Sequence, residues 1–226
     1  MVKQDLIEHC PVRFFDAVSA GGLKNGQLGL VTAKKGLGKT SILVQFGIDA
    51  LLHDKNLVHV SYDQHSSNVI AWYDNVLAEI CKKKNISDYS ELSESIIRNR
   101  TILNFNQEAF TLPKVVNTIK SLKEGGINIS ALVIDGVNLD KVSTEDVKVV
   151  ADFAKVENIV VWFSDTNENE VLNETVSGDK EPLFATVAHI TQMKDGVNLC
   201  VLKADGNVLD AARVKLDSKT LLMTNK

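Results

Sequence analysis

The chain has 226 residues, of which 44% are hydrophobic and 24% are charged, and its formal net charge is −4 at pH 7. These values exclude wholesale disorder and predict one α/β domain with a sizeable buried core. The negative net charge is not typical of a protein whose main partner is nucleic acid. The chain has no stretch close to the roughly 18 uninterrupted apolar residues of a membrane span.

The cysteines and the N-terminus indicate the compartment. The three cysteines are scattered and form neither a metal-ligand spacing nor a disulfide framework, which favours reduced thiols. Residues 1–10 carry acids where a signal peptide would have an apolar core. The sequence therefore predicts a cytoplasmic protein without a membrane span.

Short apolar runs alternate with helical patterns along the first three quarters of the chain. This alternation predicts a mostly parallel sheet with crossover helices. The predicted strands are 27–32, 56–62, 101–105, 131–134 and 159–163. The predicted helices are 41–52, Ser67 (as cap) to Lys84, 91–98, Pro113 to Gly125, and Ser143 or Thr144 (as cap) to Val156.

The last quarter of the chain has a different pattern. Residues 164–182 are polar and acidic, and a segment of this length predicts a mobile loop. Closing strands are predicted at 189–193, 199–203, 212–216 and 220–223, and the turn at 194–196 predicts antiparallel hairpins. We expect residues 1–226 to form a single domain, with 1–20 as an N-terminal lead-in.

A glycine-rich loop joins the first predicted strand to the first long helix. Such a loop aims backbone N–H groups and the positive end of the helix dipole at an anion. In this motif Lys39 contacts the β- and γ-phosphates and the Thr40 hydroxyl ligates Mg²⁺. The predicted nucleotide-binding residues are Ala33, Lys34, Lys35, Gly36, Leu37, Gly38, Lys39, Thr40 and Ser41.

Ala33 stands where the phosphate-binding motif has its first glycine. Alanine is tolerated there if the backbone keeps a negative φ, because only a positive φ strongly excludes it. An accidental Gly-Lys-Thr string in a surface turn is the alternative explanation. The strand before the loop and the helix after it argue against that alternative.

Two carboxylates follow predicted strands. Asp135 ends the apolar run 131–134 and is predicted to hold the metal from a parallel strand neighbouring the phosphate-loop strand. Asp63 follows the second strand, which is also expected beside the phosphate-loop strand. The carboxyl end of such a strand is where a group that activates water would lie. Asp63 and Lys39 are therefore the candidate catalytic residues. The alternatives are a helix cap for Asp63 and a plain strand end for Asp135.

Several strings resemble the RecA-like ATPases of the DnaB and KaiC/RadA groups. Residues 14–33 are similar to the family's "LD…GGGL…G-[DQ]-L" approach to the Walker A loop, and DnaB-type helicases also begin that loop with Ala. Residues 61–64 resemble "S-[LF]-E-[EM]", whose Glu activates water, and 132–135 resemble the Walker B strand. Residues 162–165 fall where the family has a sensor strand.

This resemblance implies a RecA-like P-loop NTPase, a three-layer αβα fold with a mostly parallel central sheet and C-terminal antiparallel hairpins. It also implies that ATP, with Mg²⁺, is the nucleotide. In the family, a "K-x-R" string in a late hairpin reaches the nucleotide of a neighbouring subunit. Lys203 matches its first residue and Arg213 is the best substitute for its arginine, so both are candidates to act in trans.

The departures from the family pattern predict slow or absent ATP hydrolysis. Asp205 replaces the arginine of the trans-acting pair, and losing an arginine finger removes roughly 10³–10⁵ in rate. Asp63 is one methylene shorter than Glu, and small misplacements can cost on the order of a hundredfold. The acidic segment 164–182 would repel a nucleic-acid strand, because phosphate contacts need Lys and Arg.

Three functions remain open from the sequence. The leading one is a Mg-ATP-binding protein that acts as a nucleotide-dependent switch or assembly subunit, with a protein partner or a second copy of itself. The second is an active, oligomeric ATPase that remodels DNA or protein. The third is a non-catalytic structural paralogue, which the intact Lys39, Thr40 and Asp135 argue against.

Overall fold

The computed structural model describes residues 2–62, 64–87, 89–106, 108–109, 111–210 and 212–225. The helices are α1 (Val2–Glu8), α2 (Val12–Val18), α3 (Lys39–Leu52), α4 (Ser66–Lys83), α5 (Ser90–Arg98), α6 (Leu112–Glu124), α7 (Thr144–Glu157) and α8 (Leu172–Thr175). The strands are β1 (Leu28–Ala33), β2 (Leu57–Ser61), β3 (Arg100–Asn104), β4 (Ala131–Asp135), β5 (Val160–Thr166), β6 (Phe184–Met193), β7 (Gly196–Ala204), β8 (Asn207–Val208), β9 (Arg213–Leu216) and β10 (Met223–Thr224). None of these helices is long and apolar enough to cross a membrane.

The described strands form one sheet in the order β10-β9-β7-β6-β1-β5-β4-β2-β3, with β8 paired to β7. The pairs from β6 to β3 are parallel, whereas β6–β7, β7–β9 and β9–β10 are antiparallel. The prediction of an α/β fold with a mostly parallel sheet and antiparallel closing strands is confirmed. The predicted hairpin at 194–196 joins β6 to β7.

The predicted neighbours of the phosphate-loop strand were wrong. β1 lies between β5 and β6, so β5 separates it from β4, and both β5 and β4 separate it from β2. The residue pattern alone does not give the order of the central strands, because strands buried on both faces all read as similar apolar runs. The carboxylate at the end of β4 therefore reaches the loop across the end of β5.

Both faces of the sheet are covered, as expected for a parallel sheet with crossover helices. Along β1, Leu28 and Leu30 belong to one hydrophobic cluster, while Val31 and Ala33 belong to another. The second of these clusters contains α3, most of whose residues are buried, and the first contains α6 and α7. This packing holds the start of α3 rigidly above the carboxyl ends of the strands.

Several element boundaries differ from the predicted ones. The cap of α4 is His65, whose ring Nδ1 accepts from the Ser67 N–H, rather than Ser67 itself. Ser143 caps α7 by accepting from the Asp146 N–H at 3.1 Å, as one predicted option required. β5 continues to Thr166, and β6 already begins at Phe184, because its first half pairs with β1.

Candidate functional site

The glycine-rich loop between β1 and α3 has the backbone that its sequence requires. Gly36 and Gly38 have φ angles of 85° and 98°, which L-residues with a side chain rarely adopt. Ala33 is a buried strand residue without a positive φ, so the condition for alanine at this position is met. A Cβ on Gly36 would meet open space, so the loop backbone there is accessible from the cleft.

The loop and the end of β4 meet at Thr40 and Asp135. The Thr40 Oγ1 donates to Asp135 Oδ2 at 2.7 Å. Ser164, on β5, donates to the other carboxylate oxygen and accepts from the Gly136 N–H at 2.9 Å. Two hydroxyl groups therefore hold the Asp135 carboxylate, which is only 3% exposed.

The environment of Asp135 keeps it ionised despite its burial. Burial alone would raise the pKa of this carboxyl, but the neighbouring His59 ring and the hydroxyls of Ser164 and Thr40 hold the pKa below its ordinary value. His59 Nε2 lies 3.9 Å from Asp135 Oδ2. The site thus carries a buried negative charge directly beside the first turn of α3.

The end of β5 supplies the partner of Lys39. The Lys39 ammonium donates to Thr166 Oγ1 at 2.9 Å. The preceding residue, Asp165, is 6% exposed, and burial raises the pKa of its carboxyl to about 6, partly offset by the charge of Lys39. One ammonium group and two carboxyl groups therefore lie at the ends of adjacent strands.

These residues line an open cleft of about 1300 Å³ at the carboxyl edge of the sheet. Its inner part is formed by Lys35, Gly36, Gly38, Lys39, Thr40, Asp135, Asp165 and Thr166. Its outer part lies over the ends of β2, β3 and β4, and includes Tyr62, Trp72, Asn104 and Phe105. Of the predicted nucleotide-binding set, Lys34 instead pairs with Glu168 at 3.8 Å, Leu37 packs on the core, and Ser41 is buried.

The acidic segment after β5 is bound to the rest of the protein by its own side chains. Glu170 accepts from Thr191 on β6, and Asp179 accepts from Thr144 at the start of α7. Lys203, from β7, pairs with Glu181 at 2.5 Å and also donates to its backbone oxygen at 3.2 Å. The predicted mobility of residues 164–182 stays a prediction.

The structure does not bring the candidate trans-acting residues to the cleft. Lys203 is 5% exposed and held by Glu181. Arg213, half-exposed on β9, donates to Met193 Sδ at 3.2 Å and lies 4.0 Å from Asp195. Neither is among the described residues that line the cleft. Asp63, the candidate catalytic carboxylate, lies outside the described residues.

The sequence prediction did not name His59, Ser164 or Thr166 as residues of the site. His59 lies between Val58 and Val60 in β2, and it is fully buried. Thr166 lies in a segment that was predicted to be a loop but extends β5. A buried histidine inside a strand next to an ionisable partner was a usable signal, but only if the order of β2 and β4 had been known.

The residues present fit a triphosphate with Mg²⁺. The open backbone at Gly36, the Lys39 ammonium, the Thr40 hydroxyl and the Asp135 carboxylate are the groups that such a ligand uses. Magnesium is commonly held by one or two protein oxygens together with phosphate oxygens and water. No protein-family model matches this chain, and no curated protein is significantly similar to it in sequence.

Proposed function

We propose that the protein binds Mg-ATP in the cleft and acts as a nucleotide-dependent switch or assembly subunit with slow or absent hydrolysis. The observation that supports this most is the 2.7 Å hydrogen bond between Thr40 and Asp135. A glycine loop alone is a weak signal. The same loop with a buried, ionised carboxylate at its hydroxyl is what metal-dependent triphosphate binding needs.

Each residue has a role that follows from its chemistry. The backbone N–H groups of the loop and the start of α3 bind phosphate oxygens. Lys39, which bonds to Thr166 in this structure, would contact the β- and γ-phosphates, and Thr40 and Asp135 would hold the metal. When bound, Mg²⁺ would neutralise part of the phosphate charge.

The charges around the cleft support slow turnover. None of the chain's four arginines is among the described residues lining the cleft, so no arginine finger is supplied within the chain by that part of the structure. Lys203 is already bound to Glu181. Asp165, ionised at neutral pH, offsets part of the positive charge of Lys39 where the transition state would develop negative charge.

The contacts of the loop also provide a route for switching. Lys39 bonds to Thr166 and Lys34 pairs with Glu168, so the phosphate loop contacts both the end of β5 and the acidic segment after it. A γ-phosphate that takes Lys39 from Thr166 changes the interactions of this segment. A ligand shifts an equilibrium only through such differential contacts. We infer that the acidic segment is the surface whose protein partner senses the nucleotide.

Equilibrium binding of a fluorescent ATP analogue tests the proposal. Wild-type protein should bind it in the presence of Mg²⁺, Lys39→Ala should abolish binding, and Asp135→Asn should remove the dependence on Mg²⁺. Lys120→Ala, on the exposed face of α6, is the matched control and should bind like the wild type. The proposal fails if the wild type retains no nucleotide with Mg²⁺. Turnover that rises with protein concentration and with single-stranded DNA would support an active motor instead.

A further inference from the structure

A buried histidine with an unused nitrogen lies beside the metal-binding carboxylate. His59, on β2, is fully buried, and its Nδ1 lies 3.0 Å from the hydroxyl of Tyr73 on α4. Its Nε2 is directed to Asp135 Oδ2 at 3.9 Å and has no hydrogen-bond partner in the part of the chain that the structure describes. Buried polar atoms in native proteins are nearly always hydrogen-bonded, so an orphaned one calls for a reason.

The Tyr73 hydroxyl determines which nitrogen of His59 carries the proton. Burial raises the pKa of Tyr73, so its hydroxyl remains protonated and can donate. If it donates to Nδ1, that nitrogen carries no hydrogen, so the ring hydrogen is on Nε2 and faces the carboxylate, which is an attractive arrangement. The opposite tautomer would place a lone pair against the charge of Asp135. The electrostatics therefore favour Tyr73 as donor and Nε2–H as the group facing Asp135.

The Tyr73 ring is itself held in place. It is 1% exposed, and the Arg100 guanidinium lies 4.7 Å from its centroid in a cation–π contact. The rings of His59 and Tyr73 meet edge to face at 5.6 Å. Arg100, Tyr73, His59 and Asp135 thus form a continuous chain of contacts from the edge strand β3 to the cleft.

We propose that His59 is a positioning residue for Asp135, with its Nε2–H oriented by Tyr73 and directed at the carboxylate oxygen that Thr40 also contacts. The distance of 3.9 Å is longer than a hydrogen bond, and a movement of the carboxylate by roughly 1 Å would close it. This donor would hold the Asp135 carboxylate if the Thr40 hydroxyl were used to hold the metal. The inference rests on the proposed function, because it concerns the same metal.

A magnesium titration of nucleotide binding tests this role. In wild-type protein, the affinity for a fluorescent ATP analogue is measured as a function of Mg²⁺ and again in EDTA. His59→Leu removes the donor and keeps an apolar side chain. It should raise the Mg²⁺ concentration for half-maximal binding about tenfold or more, the range found when partners of metal ligands are removed. The affinity in EDTA should be unchanged.

Three further variants separate positioning from a merely structural role. His59→Gln can keep an N–H at the place of Nε2. Its Mg²⁺ concentration for half-maximal binding should therefore be close to that of the wild type. Tyr73→Phe should also raise the Mg²⁺ concentration for half-maximal binding, but by less than His59→Leu does. The His59 ring is kept in this variant, and only the hydroxyl that selects its tautomer is lost. Val58→Ala, also buried on β2 but in the cluster of the opposite face, should lower stability without changing the Mg²⁺ dependence.

The titration distinguishes failure of the His59 role from failure of the proposed function. If the wild type shows Mg²⁺-dependent binding and His59→Leu shows the same Mg²⁺ dependence, the positioning role is overturned and the proposed function stands. If the wild type binds no nucleotide, both are overturned. Should His59→Leu not fold, His59→Gln and Tyr73→Phe decide the matter, since equal Mg²⁺ dependence in wild type and Tyr73→Phe contradicts the role of the tyrosine hydroxyl.

Discussion

Thr40 and Asp135 lie 95 residues apart in the chain, and the hydroxyl of one donates to the carboxylate of the other at 2.7 Å. The contact requires that α3 starts over the carboxyl end of β4, although β5 lies between β4 and β1. It joins the phosphate-loop side of the site to the end of β4 through one part-buried hydrogen bond.

Replacing Thr40 by valine should separate folding from metal binding. Thr40→Val leaves Asp135 with one hydroxyl partner fewer, and an unsatisfied buried group costs about 1–3 kcal/mol of unfolding free energy. Mg²⁺-dependent binding of ATP should be lost. Thr40→Ser keeps the hydroxyl and should retain both properties. Urea denaturation and the magnesium titration check the two effects, and Mg²⁺-dependent binding by Thr40→Val would contradict the assignment of Thr40 as metal ligand.

Asp165 should make the stability of the fold depend on pH. Its carboxyl has a pKa of about 6 because of burial, above the ordinary 3.8, so the folded protein takes up this proton more readily than the unfolded chain. The free energy of unfolding should therefore fall as the pH rises from about 4 to about 6. Above that range the buried carboxyl is ionised and the loss of stability that it causes is complete.

Asp165→Asn removes this cost. At pH 7.5 the variant should be more stable than the wild type by about 2 to 3 kcal/mol, from about 1.4 kcal/mol for each unit of the shift. At pH 4, where the wild-type carboxyl is largely neutral in the folded protein, the gain should nearly vanish. Denaturation curves of both proteins at the two pH values measure the difference in unfolding free energy between them. An equal difference at both would show that ionisation of Asp165 is not the cause.

Lys203 should act within its own chain. Lys203→Met leaves Glu181 without its buried partner and should lower the unfolding free energy by about 1–3 kcal/mol. ATP affinity should not change. Lys24→Met is the matched control, because Lys24 forms an exposed ion pair with Asp205, and its loss should cost less than about 1 kcal/mol. If Lys203→Met alters ATP turnover in a way that depends on protein concentration, the lysine acts in trans.

The two glycines of the loop should respond differently to alanine. Gly36→Ala places a Cβ in the open cleft, where it meets no other atom. The variant should lose only the roughly 1–2 kcal/mol of unfolding free energy that alanine costs at a left-handed backbone position, while its nucleotide affinity falls. Gly38→Ala has the same backbone cost, and its Cβ would also lie 2.4 Å from Leu221 Cδ1, so it should be the less stable variant. Thermal melts rank the variants, and a larger loss for Gly36→Ala would contradict this geometry.

The local part of the site could be predicted from the sequence. A strand, a glycine loop and a helix follow one another directly, so Lys39 and Thr40 were placed by chain connectivity alone. Asp135 was found because it ends an apolar run, and the carboxyl ends of parallel strands share one edge of the sheet. These inferences need no knowledge of which strand pairs with which.

The remaining residues of the site depend on the order of the strands in the sheet, which the residue pattern does not indicate. Ser164 and Thr166 belong to the site only because β5 is inserted between β1 and β4. His59 matters only because β2 pairs with β4, so that its ring lies behind Asp135. The first half of β6 was missed because it directly follows the polar segment that was predicted to be a loop, and its pairing with β1 reveals the strand.

β6 is the strand at which the sheet changes from parallel to antiparallel, and it extends beyond the level at which β1 stops, since Ala33 pairs with Ile190 and β6 continues to Met193. The tight bend at Lys194 and Asp195 therefore projects past the end of β1, at the edge of the sheet where the parallel strands have their carboxyl ends. Extra residues inserted into this bend would lengthen the projection beyond β1 and leave the pairing of β6 with β1 unchanged.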